Sequence, residues 1–257
     1  MNPQHSSAEV AVILVAGIGQ RLRPLTLERP KALVPVGPET ILGRAVRLLI
    51  EHGVRELVLA TGFRDDAVRG AMRECPIPVR YAHNPDYLTT QNAVSLLHCR
   101  EAVGGRSFYK LDGDVLFHPE ILGRLDASGG ALAVAVDPRA NLGAEEMKVR
   151  LAPNSASITA FGKGLDPAAC FGESIGIERV AGEAVGRLFE ALGESHARGE
   201  TNLYYEDVYS RMIEAGLEAR AVPVGDLGWT EVDTPADLEA AGALVGSGRL
   251  GGGVRKV

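Results

Sequence analysis

The chain has 257 residues, 46% of them hydrophobic, enough to fill one large α/β core or two small ones. Its 27 basic and 33 acidic residues leave a formal net charge of -6, which argues against an extended basic surface for nucleic acid or an anionic membrane. Three cysteines, Cys75, Cys99 and Cys170, are odd in number and far apart, which suits packing residues in a reducing compartment better than a disulfide framework or a zinc site.

Residues 1–9 are polar and carry no apolar segment behind a basic flank, and no later run approaches the roughly 20 apolar residues that span a bilayer. A soluble, cytoplasmic protein with no membrane partner is expected. Val10–Ala16 is a short apolar run stopped by Gly17, the pattern of a strand buried on both faces of a parallel sheet. From Thr40 to His52 apolar residues recur at helical spacing, with Thr40 placed as N-cap and Gly53 as terminator. Glu56–Ala60 reads as a strand, Asp65–Cys75 as a helix, Val79–Ala82 as a strand and Ala93–Ala102 as a helix. Ser107–Leu111 then gives a strand, Pro119–Leu125 a helix and Ala131–Val136 a strand. This alternation predicts an α/β fold, a doubly wound and mainly parallel sheet whose ligand crevice lies at the carboxyl ends of the strands. Gly17 and Asp112 both fall there.

Beyond Pro138 the pattern changes. Short strands at Lys148–Leu151, Ser157–Phe161 and Ser174–Ile177 precede helices at Glu183–Arg198 and Glu206–Ala215. Strands at Ala219–Val222 and Trp229–Val232 and a helix at Ala236–Val245 close the fold. No repeat and no long linker separates the halves, so the second reads as a small subdomain packed on the first. A single domain over residues 8–246 is expected, with a glycine-rich tail at 247–257 that frays.

The first strand runs into Leu14–Lys31, LVAGIGQRLRPLTLERPK. Glycines after a strand let the backbone approach a phosphate, and the amides of such a loop attract negative charge. A dinucleotide fingerprint needs glycine where Leu22 stands and an acid at the end of the second strand near Ala60; with neither present, a dehydrogenase is disfavoured. The Gly-Lys-Ser/Thr of a Walker loop is also missing. Arg21, Arg23 and Lys31 instead follow the glycines closely in an acidic protein, which points to a polyphosphate pocket rather than a solvated basic loop.

Val10–Lys31 resembles the signature of the nucleotidyltransferases that activate sugar phosphates and small phospho-alcohols. That signature is a strand, Leu-Ala-Ala-Gly-x-Gly-x-Arg-Leu, a spacer with Pro-Leu-Thr, then Pro-Lys; Val15 replaces its first alanine. The similarity continues through Leu33–Gly37 (LVPVG), Ala60–Phe63 (ATGF), Leu111–Asp114 (LDGD) and Glu231–Thr234 (EVDT), and so covers residues 10–245. It implies a Rossmann-like nucleotidyltransferase fold with a nucleotide-binding part at 8–137 and an acceptor-side part at 138–246. The implied reaction is attack of a phosphate monoester on the α-phosphate of a nucleoside triphosphate with loss of pyrophosphate. No covalent protein intermediate is needed, so charge neutralisation and alignment carry the catalysis.

On the matching positions, the resemblance implies that Asp114 and Asp233 hold Mg2+, with Asp112 in support on the same side of its strand as Asp114. Asp233 has a second reading, as cap of the helix that begins at Pro235. Arg21 and Lys31 are expected to hold the triphosphate within the Gly17 to Gly19 loop. Lys163, in Phe161–Gly164 (FGKG), is expected to neutralise the acceptor phosphate, with Lys148 as its competitor and a plain surface role as the alternative for both. The base is expected over Leu14 and Ala16, beside Thr61 and Gly62, in contact with Asn92 and Ser95; the alternative for Asn92 is a simple helix cap.

Asn92–Leu96 (NAVSL), Gly172–Ile177 (GESIGI) and Tyr204–Val208 (YYEDV) are similar to segments of the cytidylyltransferases that activate phosphocholine, inositol phosphate and phosphonates. This implies CTP as donor and a small phosphorylated alcohol or phosphonate as acceptor. A cationic acceptor would want aromatic faces and carboxylates, which Glu173, Tyr205, Glu206, Asp207 and Trp229 could supply. Against this stand a core role for Trp229 and a solvated first-turn role for Glu206 and Asp207. The rival activity is a sugar-1-phosphate nucleotidyltransferase using UTP, GTP or dTTP. A nucleotide sensor without chemistry is disfavoured by the intact Arg21, Lys31, Asp114 and Asp233. Association as a homodimer is left open.

Overall fold

The computed structural model of the chain describes residues 7–139 and 141–251. Its main sheet begins with β1 (Val10–Leu14), whose Val10 and Val12 enter one apolar cluster while Ala11 and Ile13 enter another. Successive side chains of a strand point to opposite faces, so a run without polar residues belongs in a sheet covered on both sides.

The two-residue strands β2 (Pro35–Val36) and β3 (Glu39–Thr40) lead into α1 (Ile41–His52). Thr40 Oγ1 accepts from Gly43 N at 2.9 Å, and Gly53 ends the helix at φ 114°, a left-handed value that glycine takes without strain. Then follow β4 (Glu56–Thr61), α2 (Asp65–Ala71), β5 (Val79–His83), α3 (Asn92–His98) and α4 (Arg100–Val103). One helix was expected over the last two; at Cys99 the backbone N–H bonds Leu96 O at 2.9 Å, a tighter turn that splits it. Next come β6 (Phe108–Asp112), β7 (Val115–Phe117), α5 (Glu120–Ser128) and β8 (Leu132–Asp137). The three-residue β7 is too short to leave a periodic trace in the sequence.

The second half contributes β9 (Lys148–Leu151), β10 (Ile158–Gly162), β11 (Gly172–Val180), α6 (Gly182–Ala197), α7 (Tyr205–Glu214), β12 (Ala219–Pro223), β13 (Trp229–Glu231) and α8 (Pro235–Gly246). The sheet order is β10-β9-β11-β6-β1-β4-β5, with β8 pairing β11 and β12. Strands β6, β1, β4 and β5 are mutually parallel, whereas β11 runs antiparallel to both β6 and β8. The result is the expected α/β architecture around a mixed sheet, and the strands of the second half extend that same sheet. Helices α3, α6 and α7 cover one face and α1 and α5 the other, while α8 packs with Leu22, Val34 and Ile41 in a third cluster.

The fraying expected from residue 247 does not begin there. Leu250 is 1% exposed, and the buried Arg44 donates to the carbonyls of Leu250 and Gly251 at 2.9 and 2.8 Å, which holds this stretch against α1. Residues 252–257 of the expected tail lie outside the described residues. Among the described residues no helix is long and apolar enough to cross a membrane. The three cysteines are unpaired, and burial pushes the Cys99 thiol up to about 12, as befits an inert packing residue.

Candidate active site at the carboxyl ends of the strands

The loop after β1 is folded tightly by its own residues. Gly19 has φ 64°, and a Cβ there would lie 2.8 Å from Lys31 Cβ, so only glycine fits. Thr26 Oγ1 donates to Gly19 O at 2.6 Å, closing the loop from the far side. Leu22, the residue that spoils a dinucleotide fingerprint, is fully buried in the third cluster and anchors the loop to α8. The end of β6 comes equally close to β1: a Cβ on Gly113 would lie 2.4 Å from Leu14 O.

Two aspartates far apart in sequence meet above this loop. Strands β7 and β13 pair antiparallel with Val115 opposite Glu231, and Val232 N donates to Asp114 O at 3.1 Å. This non-local pairing sets Asp114 beside Asp233. The N-cap of α8 is Thr234, which forms a reciprocal capping box with Asp237, so the Asp233 carboxylate is not spent on capping. Lys31 Nζ lies 2.6 Å from Asp114 Oδ2 and also pairs with Asp233 Oδ1, and Arg21 reaches Asp233 Oδ2 at 2.8 Å. Burial works against the Lys31 charge, but Asp114 and Asp233 outweigh it and hold the ammonium above the ordinary lysine range. One cation thus touches both carboxylates. Among the described residues no group of three or more His, Cys, Asp or Glu side chains forms a metal cage. Two carboxylates are what Mg2+ uses when substrate phosphates and water complete its shell, so the donor set fits that ion.

A cavity of about 540 Å³ opens between this pair and α3. Leu14, Ala16, Gly17, Gly19, Asn92, Ser95, Asp112 and Asp114 line it, together with Lys163, Glu173 and Glu206 from the second half. Asn92 is no cap for its own helix: its Oδ1 accepts from Tyr205 N at 3.0 Å and so caps α7 instead. Ser95 is buried, held by Asn84 Nδ2 at 3.0 Å. Lys163 is 34% exposed and lies 4.9 Å over the Tyr204 ring. Its competitor Lys148 is 1% exposed, not a surface residue, and donates to the carbonyls of Lys163 and Glu146 at 2.5 and 3.4 Å.

Four expected ligand contacts are closed off. Thr61 is fully buried with its carbonyl bonded to Asn84 N at 2.8 Å, and Gly62 is packed between Ala16 and Tyr87, where a Cβ would meet Tyr87 Cβ at 2.7 Å. Tyr205 is fully buried beneath the cavity floor, where its hydroxyl donates to Asp112 Oδ2 at 2.8 Å. Asp207 accepts from Tyr204 N at 2.8 Å and so caps the first turn of α7, and Glu206 beside it is 5% exposed, which overturns the solvated first-turn role that was its alternative. Trp229 keeps its ring on the acidic side of the cleft, with Nε1 donating to Asp137 Oδ2 at 2.8 Å.

Sequence reasoning missed Glu231 and the Lys110–Glu178 pair. Glu231 lines the cleft; burial first, then Asp114, Asp112, Glu173 and Asp233, push its carboxyl up to about 9. It sits two residues before Asp233, and the period of a strand could have put both on one side. Lys110 and Glu178 are fully buried partners at 3.0 Å on adjacent strands; Lys110 lies within the apolar run Phe108–Leu111, and Glu178, followed by Arg179, lies just past the strand expected at Ser174–Ile177.

The acidic cleft carries a pH signature. Burial pushes Glu173 and Glu178 up to about 7 and Glu206 up to about 8, so between the ordinary carboxylate range and those values the folded chain holds protons that the unfolded chain has released. Stability from these groups is therefore highest at the acidic end of that window and falls as pH rises through it. Thermal melts of the protein without nucleotide or Mg2+ should give a lower Tm at about pH 9 than at about pH 6; a flat or rising profile would show that these carboxyls titrate normally.

A family model described as the MobA-like NTP transferase domain matches residues 11–174. CMP-5'-(3-aminopropyl)phosphonate synthase of Streptomyces rubellomurinus is 34% identical over 242 residues, 90% of this chain and 38% of that protein. The bifunctional IPC transferase and DIPP synthase of Rubrobacter xylanophilus is 34% identical over 239 residues, 91% of this chain and 51% of that protein. The chain thus spans about half or less of the length of these relatives. The inositol-1-phosphate CTP transferase of T. maritima superposes with a TM-score of 0.77 at 23% identity, over 92% of this chain and 96% of that one. The CTP:phosphocholine cytidylyltransferase of Streptococcus pneumoniae superposes with a TM-score of 0.72 at 18% identity, over 92% and 99%. At these identities the two structures speak for the fold. Together with the glycine loop, Lys31 and the aspartate pair, the family match leads to one conclusion: the chain belongs to the MobA-like NTP transferase domain family.

Proposed function

We propose that the chain is a soluble, cytoplasmic cytidylyltransferase that moves CMP from CTP to a small phosphorylated alcohol or phosphonate and releases pyrophosphate. The observation that carries this reading is Lys31 spanning Asp114 and Asp233 beside the glycine loop, which gathers the charges a triphosphate and its metal need in one cleft. The choice of CTP is supported by the two relatives that align over nine-tenths of the chain, one named for a CMP-phosphonate product. In this reading Arg21, Lys31 and the amides of the Gly17 to Gly19 loop hold the triphosphate, and the base lies along Leu14, Ala16, Asn92 and Ser95. Lys163 meets the acceptor oxyanion, and Asp112, pinned by Lys110 and Tyr205, braces the floor. Asp114 and Asp233 would hold Mg2+, which supplies neutralisation of the phosphate oxygens as charge shifts to the leaving group.

A pyrophosphate-release screen tests this by crossing CTP, UTP, GTP and dTTP with phosphocholine, aminoethylphosphonate, inositol phosphate, glycerol phosphate and hexose 1-phosphates. Turnover is expected with CTP and a small acceptor. Turnover of UTP, GTP or dTTP with a hexose 1-phosphate and none with CTP would replace this reading by the sugar-phosphate one, which the shorter matches to mannose-1-phosphate guanylyltransferases keep as the rival.

A further inference from the structure

Lys163 has little to anchor it. It sits in the turn after β10, its chain neighbours Gly162 and Gly164 carry no side chain, and the bond that closes the turn, Leu165 N to Gly162 O, is long at 3.4 Å. Its ammonium lies 3.5 Å from Glu145, a carboxylate whose side chain is 79% exposed, and such a surface pair is weak. An arriving oxyanion can displace that partner, but only a fixed turn brings the ammonium to one place each time.

The tie comes from inside the fold. Lys148 in β9 is paired with Gly162 of β10 on one side and with Glu173 of β11 on the other, and it is 1% exposed. It does not line the cavity, although Met147, Glu173 and Lys163 do, so direct contact with a substrate is closed to it. Its Nζ donates instead to Lys163 O at 2.5 Å and to Glu146 O at 3.4 Å. Taking an ammonium out of water is costly, and an apolar side chain would fill the same space without that cost. What the ammonium adds is its hold on two backbone carbonyls, the nearer of which belongs to Lys163.

We propose that Lys148 is a positioning residue of the acceptor site: it fixes the backbone of the Lys163 turn, and through it the reach of the Lys163 ammonium toward the acceptor oxyanion. The role toward the oxyanion rests on the cytidylyltransferase reading of this cleft, whereas the hold on the turn does not. Lys148 thus stands behind Lys163 rather than in competition with it.

Amide hydrogen exchange of the protein without CTP reads the hold on the turn. Lys148→Met should speed exchange at residues 162–165 about 10-fold, the worth of one hydrogen bond from a charged donor, and leave the core strands β1 and β4 unchanged. Lys148→Gln keeps an N–H donor at shorter reach and should fall between Lys148→Met and wild type; it carries the comparison if Lys148→Met does not fold. Turnover reads the consequence. With CTP and the acceptor that the wild type uses, Lys148→Met should lower kcat/KM for the acceptor about 10- to 100-fold while the KM for CTP stays the same. In a Lys163→Met background the further loss should shrink to less than about 2-fold, because the two residues act as one unit. Unchanged exchange at residues 162–165, an equal rise in the KM for CTP, or losses that multiply in the double variant would overturn the proposal. Absence of turnover by the wild type with every acceptor would overturn the nucleotide reading and the role toward the oxyanion together, and the exchange comparison would decide the hold on the turn by itself.

Discussion

Asp114→Asn and Asp233→Asn will each lower pyrophosphate release by about 10²- to 10⁴-fold, the several kcal/mol that a well-placed metal ion contributes to a phosphoryl-type transition state. The reasoning starts from geometry. Asp114 is set by the β7–β13 pairing and Asp233 by the loop that Thr234 and Asp237 cap, and what an isosteric amide weakens is the partly exposed ion pairs of the two carboxylates with Lys31 and Arg21, not the strand pairing or the helix cap. The folded state should therefore survive both changes, with far-UV circular dichroism unchanged. The loss should fall on kcat rather than on the acceptor KM, because the carboxylates act where charge develops rather than where the acceptor rests. Retention of full activity in either variant would remove that aspartate from the site.

Lys31→Met should lose activity and stability together, and Mg2+ should restore only the stability. In the free protein Lys31 is the bridge between two carboxylates whose side chains are 28% and 24% exposed. Taking it away leaves two like charges face to face, a cost of about 1–3 kcal/mol once their partial hydration is allowed for. For a chain of this size that corresponds to roughly 3–10 °C in Tm. Mg2+ at millimolar concentration can occupy the gap, so it should raise the Tm of Lys31→Met more than that of wild type. Because the folded-state value of Lys31 is raised, its contribution is fully present below the ordinary lysine value and is lost only as pH rises through the raised one. The stability gap between wild type and Lys31→Met should thus be steady from neutral to mildly alkaline pH. Identical Mg2+ shifts in both proteins would mean that Lys31 and the ion do not compete for one place.

Local features of the chain were legible because local physics makes them. The helix Ile41–His52 carries its stripe, its threonine cap and its glycine stop within a single stretch of sequence, and the structure reproduces all three. The glycine loop is equally readable, and Leu22 alone breaks the dinucleotide pattern in the sequence, whereas its burial in the third cluster is a product of the fold. Non-local features were not. Asp114 meets Asp233 only because β7 pairs with β13, a contact between a three-residue strand and a segment more than a hundred residues away; no periodicity encodes it, and only the family resemblance joined the two.

Errors at the site have the same origin. Thr61 and Gly62 stand at the end of β4 like the useful ends of β1 and β6, but Tyr87 and Asn84 close over them. Tyr205 and Asp207 sit on either side of Glu206 at the start of α7, and helical rotation sends one into the core and the other to the cap. Lys110, inside an apolar run, and Glu178, just past an expected strand, were invisible as a pair because neither shows its partner until the adjacent strand is known.

The central claim is that Asp114 and Asp233 share one divalent cation in the place Lys31 now bridges. Electron paramagnetic resonance of Mn2+ titrated into the protein with CTP measures this most directly. Wild type should show one protein-bound Mn2+ in the ternary complex, and Asp114→Asn and Asp233→Asn should each weaken or abolish it. An unchanged bound signal in both variants would contradict the account.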